Sequence, residues 1–171
     1  MIVIMAGLPA TGKSTLCREL ANRLSGTVLD KDEIRSTLFS PRDIEYSTEQ
    51  DDFCISIMLQ TAAYILKKNP QRAVFLDGRP FSRRYQLNQV IQQAEALSQP
   101  WRILECVCSD AFAKKRLEDQ SNSGTHPAAD RDYQMYLRVK ANFEAITLPK
   151  TIINTDQPLG ACVQFALDSL L

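Results

Sequence analysis

The chain of 171 residues contains one histidine, one tryptophan and no excess of charge of either sign. A lone histidine, His126, removes most histidine-based zinc sites and Ser-His hydrolase schemes, and its place beside Pro127 reads as an exposed loop position. Lysine and arginine together number 20, as do aspartate and glutamate, which argues against a bulk nucleic-acid coat while leaving room for a local basic pocket. No Cys-x-x-Cys pair occurs. The five cysteines, at positions 17, 54, 106, 108 and 162, are odd in number and scattered, and Cys106 and Cys108 read as small core residues on one strand face. This usage predicts the reducing cytoplasm as the compartment. No apolar run is long enough to span a bilayer. The apolar start, residues 1–6, lacks a basic flank and reads as a core strand, not as a signal peptide. Internal repeats and low-complexity tracts are also absent.

What is present suits one globular domain over residues 1–171, since 44% hydrophobic and 23% charged residues can build a core without staples. Residues 2–5 form a continuous apolar run ending at glycine, the pattern of a strand buried on both faces. Further strands are predicted over 27–30, 73–77, 101–108 and 151–154. Helices are expected over 13–24, 31–38, from Thr48 to the Asn69-Pro70 stop, 82–98, 110–120, 132–146 and 159–171. The long third helix is expected to bury Phe53, Ile57, Met58, Thr61, Ile65 and Leu66. Residues 39–47 read as a loop, and 121–130, rich in Ser, Asn, Gly and Pro, as a mobile segment. Strands alternating with helices predict an α/β fold, a mostly parallel sheet covered on both faces. Ligands of such sheets lie beyond the carboxyl ends of the strands.

At the first of those ends, Gly7-Leu8-Pro9-Ala10-Thr11-Gly12-Lys13-Ser14 matches the phosphate-loop pattern G-x-x-x-x-G-K-S/T between a strand and a helix. Fewer than about one random chain in a hundred of this length would carry it. The chemistry needs each part. Glycines let backbone N–H groups curl round phosphate oxygens, and the helix start adds positive potential. Lys13 is a point charge for the outer phosphates, Ser14 offers an oxygen to magnesium, and Thr15 continues the loop into the helix. These residues, 7–15, predict an ATP·Mg²⁺ site. A GTPase would carry D-x-x-G and N-K-x-D motifs, and a remodelling ATPase an acidic pair after its third strand. Neither is found, since that strand ends Phe75-Leu76-Asp77-Gly78. A compact phosphotransferase remains.

Asp32 and Arg35, one helical turn apart after the second strand, read either as a surface pair or as a functional one. In the functional reading the carboxylate orients a hydroxyl acceptor and takes its proton, and the arginine holds an anionic acceptor. Arg79, just past the third strand, is placed for an acidic acceptor. Arg83 and Arg84 read as a solvated first helical turn, where positive charge is unfavourable unless an anion offsets it. Trp101, opening a strand, reads as core packing.

Taken together, the phosphate loop, Leu29-Asp30-x-Asp32-x-x-Arg35 and Leu76-Asp77-Gly78-x-x-Phe81-x-Arg83-Arg84 resemble the small P-loop kinases. That group includes the kinase domain of phage polynucleotide kinase, chloramphenicol phosphotransferase and zeta-toxin-like proteins. The resemblance covers nearly the whole chain and implies the strand order 2-3-1-4-5 and a helical lid over about residues 110–136. By position it implies Asp32 as the acceptor-activating aspartate and Arg35 as the acceptor-phosphate arginine. Asp77 would lie near magnesium or the acceptor, Arg116 would be the lid arginine on the transferred phosphate, and Thr155 would sit beside the nucleotide base. The family often has a second lid arginine one turn on. Here that position is Gln120, and Lys115 or Arg131 is the candidate substitute. The expectation is therefore an ATP-dependent, magnesium-requiring kinase of a hydroxyl-bearing small molecule, favoured over a polynucleotide 5′-hydroxyl because the chain has no net positive charge. A nucleotide-binding regulatory module with little turnover is the alternative that Gln120 keeps open.

Overall fold

The computed structural model describes residues 1–123 and 132–170, apart from the side chains of 121–123. Of the expected lid, residues 124–131, with His126 and Arg131, lie outside the described residues. Five parallel strands run in the order β2-β3-β1-β4-β5: β1 (Ile2–Ala6), β2 (Thr27–Asp30), β3 (Val74–Asp77), β4 (Trp101–Val107) and β5 (Thr151–Asn154). This is the order expected for the P-loop fold.

The continuous apolar run of β1 follows from its central place. Its alternate residues feed two cores. Ile2, Ile4 and Ala6 face α3 (Thr48–Lys68) and α4 (Arg84–Ala96), while Val3 and Met5 face α1 (Lys13–Leu24) and α7 (Leu159–Leu170). Each fully buried aliphatic side chain is worth roughly 1.5–3 kcal/mol relative to exposure. The strand that carries the phosphate loop at its end is thus buried along its whole length. Three further helices lie among the described residues, α2 (Lys31–Leu38), α5 (Asp110–Ser123) and α6 (Tyr133–Ala141), with a 3-10 turn at Pro41–Asp43 inside the expected loop. Among the described residues no helix is long and apolar enough to cross a membrane.

The structure corrects several of these expectations. The buried stripe of α3 turns toward Cys54, Ile55, Leu59 and Ala62 while keeping Met58 and Leu66, and Phe53 is 50% exposed, its ring edge-on to Phe39 at 5.9 Å. Apolar residues surround much of this helix, so periodicity alone leaves its orientation open by about one residue. The helix expected over 132–146 stops at Ala141. Beyond it the chain peels away, so that Glu144 reaches the start of α4 and Ile146 enters the core. Similarly, α4 begins at Arg84, two residues later than expected. Cys106 is buried, whereas Cys108 lies past the end of β4 and is only half-buried.

Candidate active site

The turn from β1 into α1 is built from backbone. Gly7 has φ +127°, and a Cβ there would stand 2.2 Å from the Cys106 carbonyl oxygen, so no larger residue fits. Ala10 is also left-handed, with φ +59°, a costly state for a non-glycine residue and common at ligand sites. The loop is braced internally: Thr11 Oγ1 donates to the Leu8 carbonyl at 2.7 Å, and the Gly7 N–H donates to the Pro80 carbonyl at 3.0 Å. Lys13 is buried, with Nζ donating to the Leu8 carbonyl at 2.6 Å. The first turn of α1 has neither a side-chain cap nor an acidic residue, so its N–H groups and positive potential remain for an anion.

Facing this loop is an acidic wall. Parallel register sets Asp30 beside Asp77 at the carboxyl ends of β2 and β3. Asp30 caps α2, accepting from the N–H groups of Asp32 at 2.8 Å and Glu33 at 3.2 Å. Burial, and after it the Asp77 charge, pushes the Asp30 carboxyl above the ordinary carboxylate range, against the pull of those N–H groups. Asp77 is 1% exposed, and its Oδ1 has no hydrogen-bond partner. Gly78, with φ +85°, permits this crowding, since a Cβ there would lie 2.9 Å from Asp30 Oδ1. Lys13, Ser14, Asp30, Asp32, Asp77 and Arg79 all line one cleft of about 320 Å³. An orphaned buried carboxylate oxygen beside a second carboxylate, in a cleft shared with a serine hydroxyl, suits a hard cation. Magnesium fits, since it takes one or two carboxylates and completes its shell with water and phosphate. A consequence can be tested without ligand. In EDTA, Asp77→Asn is expected to raise the melting temperature by relieving a buried, under-partnered charge, worth about 1–3 kcal/mol, while lowering nucleotide-dependent activity. An unchanged or lower melting temperature would show that Asp77 carries no such burden.

Asp32 sits in an ion-pair frame. Its Oδ1 accepts from Arg35 Nη1 at 3.0 Å and lies 3.1 Å from Lys31 Nζ. Both cations also pair with Asp51 in the first turn of α3: Lys31 Nζ donates to Asp51 Oδ1 at 2.8 Å, and Arg35 Nη2 meets the same oxygen. Burial lowers the Lys31 ammonium from its ordinary value, partly offset by Asp32. Arg35 is buried and stacks over the Tyr46 ring at 5.1 Å. Asp32 and Arg35 thus form the pair their spacing predicts, but it is largely buried and not at the surface. Asp32 faces the cleft, but the guanidinium of Arg35 is engaged with Asp32 and Asp51. Lys31 and Asp51 were not singled out from the sequence because Asp51 arrives from a helix beginning 16 residues later.

The chain itself supplies an anion to each of the three arginines after β3. Glu144 accepts from the Arg84 N–H at 2.7 Å and from Arg83 Nη1 at 3.2 Å, and these contacts hold its carboxyl below the ordinary range. Arg79 is 2% exposed and pairs with Asp52 at 2.6 Å.

At the other end of the loop, Arg116 donates through Nη1 to the Ala10 carbonyl at 3.2 Å and to Thr155 Oγ1 at 3.1 Å, and through Nη2 to the Thr155 carbonyl at 2.7 Å. Thr155 Oγ1 donates in turn to the Thr11 carbonyl at 2.8 Å. Arg116, Thr155 and Leu159 line a second cavity of about 330 Å³, and Gly12, Thr15 and Gln120 border both cavities. Lys115 is exposed on α5. Arg18 borders the acidic cleft and was missed in the sequence, although its place four residues after Ser14 puts it on the same helix face.

A family model described as an AAA domain matches residues 2–146 of the chain. No curated protein matches it. Among solved structures, the fold resembles Mycobacterium tuberculosis APS kinase CysC in complex with AMPPNP and APS, at 15% identity and TM-score 0.73, over 99% of this chain and 96% of that one. It resembles a gluconokinase from Sinorhizobium meliloti 1021 at 14% identity and TM-score 0.70, over 99% and 90% of the chains. Chaetomium thermophilum Kti12 in complex with ADP-AlF3 is similar at 15% identity and TM-score 0.70, over 99% and 97%. At these identities the likeness is one of fold, the P-loop fold.

Proposed function

The chain belongs to the AAA domain family, and on that premise we propose that it is an ATP-dependent kinase moving the γ-phosphate to the hydroxyl of a small molecule. The observation that carries this reading is one cleft shared by Lys13 and Ser14 of the phosphate loop with Asp32 and Asp77 of the acidic wall. Loop N–H groups and Lys13 hold the outer phosphates. Ser14 and Asp77, with Asp30 behind, would hold Mg²⁺, whose chemistry is to neutralise charge on those phosphates. Asp32 accepts a hydrogen bond from the acceptor hydroxyl and aligns its oxygen with the terminal phosphorus. The acceptor O–P bond forms as the bond to the bridging oxygen breaks, ADP leaves, and the hydroxyl proton passes to the Asp32 carboxylate. The loose transition state of phosphoryl transfer asks for alignment more than for a strong base, which suits a carboxylate gripped by two cations.

The second cavity supports a base site, with Thr155 and Arg116 joining it to the loop. Arg116→Ala should therefore weaken ATP binding about 10-fold or more, the scale of hydrogen bonds to a charged group, and change kcat less. Calorimetric titration beside steady-state kinetics checks this, and a fall in kcat with unchanged affinity would move Arg116 to the transferred phosphate. All five cysteines are free thiols, which agrees with a cytoplasmic location.

The test of the reading is ADP release over a panel of hydroxyl metabolites, nucleosides and 5′-hydroxyl oligonucleotides. Acceptor-dependent release supports the kinase, and release with oligonucleotides alone would make it a polynucleotide kinase. Gln120, bordering the cleft at a position where the P-loop kinase resemblance implies an arginine, favours a second reading, a nucleotide-binding regulatory module. ATP binding with no acceptor-dependent turnover would support that one.

A further inference from the structure

Arg79 is the buried arginine of the cleft wall. Its guanidinium is buried, yet only one side of it is satisfied: Nη2 pairs with Asp52 Oδ1 at 2.6 Å and lies 3.4 Å from the Tyr85 hydroxyl. Nη1 has no hydrogen-bond partner. The Tyr85 hydroxyl donates to Asp52 Oδ2 at 3.2 Å, so the tyrosine and aspartate brace the arginine from one side. Asp52 itself is 37% exposed, which makes it a weak, screened counter-charge. Burying a guanidinium donor without a partner is costly, and such exceptions concentrate where a ligand supplies the missing acceptor. Arg35, the arginine the sequence suggested for this task, pairs with Asp32 and Asp51 and, although its Nε also lacks a hydrogen-bond partner, it does not line the cleft. Lys13 belongs to the nucleotide side, on the loop itself.

Resting on the kinase reading, we infer that the acceptor carries, besides its reactive hydroxyl, an anionic oxygen group, carboxylate or phosphate, seated on Arg79 in the cleft that Asp32 also lines. Arg79 is then the specificity-determining residue. It discriminates between a hydroxy acid or phosphorylated alcohol and its neutral parent, because an anionic oxygen both accepts from the open Nη1 and offsets the buried charge, whereas a neutral oxygen only accepts. Asp52 acts as a competitor within the chain, occupying part of the charge until the acceptor arrives.

The experiment saturates the protein with Mg²⁺ and the imido analogue of ATP, which fills the γ-phosphate position, and then titrates inorganic phosphate by calorimetry. Saturable phosphate binding is expected, weakened about 10- to 100-fold by Arg79→Gln, the usual worth of a hydrogen-bonded charge, and partly retained by Arg79→Lys. Asp52→Asn removes the competitor and should tighten phosphate about 3-fold, a gain that a merely structural role for the pair would not produce. Stabilisation by the analogue must be equal in all variants, which shows that each is folded. If Arg79→Gln does not fold, Asp52→Asn decides, and unchanged or weaker phosphate binding overturns the inference. Equal phosphate affinity in wild type and a folded Arg79→Gln overturns it too, as does the absence of saturable binding. If the analogue fails to stabilise the wild type, the kinase reading itself falls first. In the turnover arm, polyols are compared with their carboxylate and phosphate derivatives. Preference for either derivative identifies the anion, and equal or better use of the neutral polyol overturns the inference while leaving the kinase standing.

Discussion

Lys13→Ala is expected to weaken ATP binding about 10- to 100-fold, the scale of a hydrogen-bonded charge. Turnover should fall further, about 10²- to 10³-fold below wild type at saturating ATP, because charge on the migrating phosphoryl group grows toward the transition state. Two observations lead there. The ammonium is delivered into the cleft by the first residue of α1, and its Nζ donates to the Leu8 carbonyl at 2.6 Å, a contact inside its own loop. Its loss therefore leaves the two cores intact, and the melting temperature should move by only a few degrees. Equilibrium titration with ATP·Mg²⁺, a melting curve and single-turnover kinetics check the three parts. A variant that binds and turns over ATP like the wild type would remove the phosphate-loop reading altogether.

Asp32→Asn should cost about 10²- to 10⁴-fold in kcat, the range of proton-transfer assistance by a positioned side chain, with ATP affinity close to wild type. Asparagine keeps the volume but loses one acceptor charge from the frame of Lys31, Arg35 and Asp51. Some stability loss is therefore expected, since truncating one partner of a buried pair leaves the others under-compensated. Asp51→Asn separates the two effects. It removes a carboxylate from the same cations but outside the cleft lining, so it should lower the melting temperature comparably while kcat falls less than about 10-fold. Full phosphotransfer by a folded Asp32→Asn would move the hydroxyl acceptor role to Asp30 or Asp77. Equal kcat losses in the two variants would instead make Asp32 part of the frame only.

The contrast between Asp32 and Arg35 shows how far local spacing reaches. Both positions were found from one helical turn after a strand, but their fates diverge on contact with α3. Asp51 engages Arg35 from a segment the spacing could not anticipate, and Asp32 stays at the cleft. Glu144 illustrates the same limit. Its service to the start of α4 depends on α6 ending at Ala141, and an amphipathic pattern running on to residue 146 conceals that end. Arg116 lies on α5, within the lid range the resemblance implies, and its hydrogen bonds run to Ala10 and Thr155, because the end of β5 lies beside the loop.

By itself, the sequence determined the α/β class, the central buried strand and the phosphate loop, because all three rest on local physics: unbroken apolar runs, a glycine where φ must be positive, and a lysine and serine at the start of a helix. Tertiary structure alone decided which charges remain available. Parallel register set Asp30 against Asp77, α3 supplied Asp51 to Arg35 and Asp52 to Arg79, and Glu144 went to Arg83 and Arg84. The reason is that a charge's availability depends on every counter-charge within a few ångströms and on its burial. Those neighbours come from segments far apart in the chain and meet only when the sheet and helices pack.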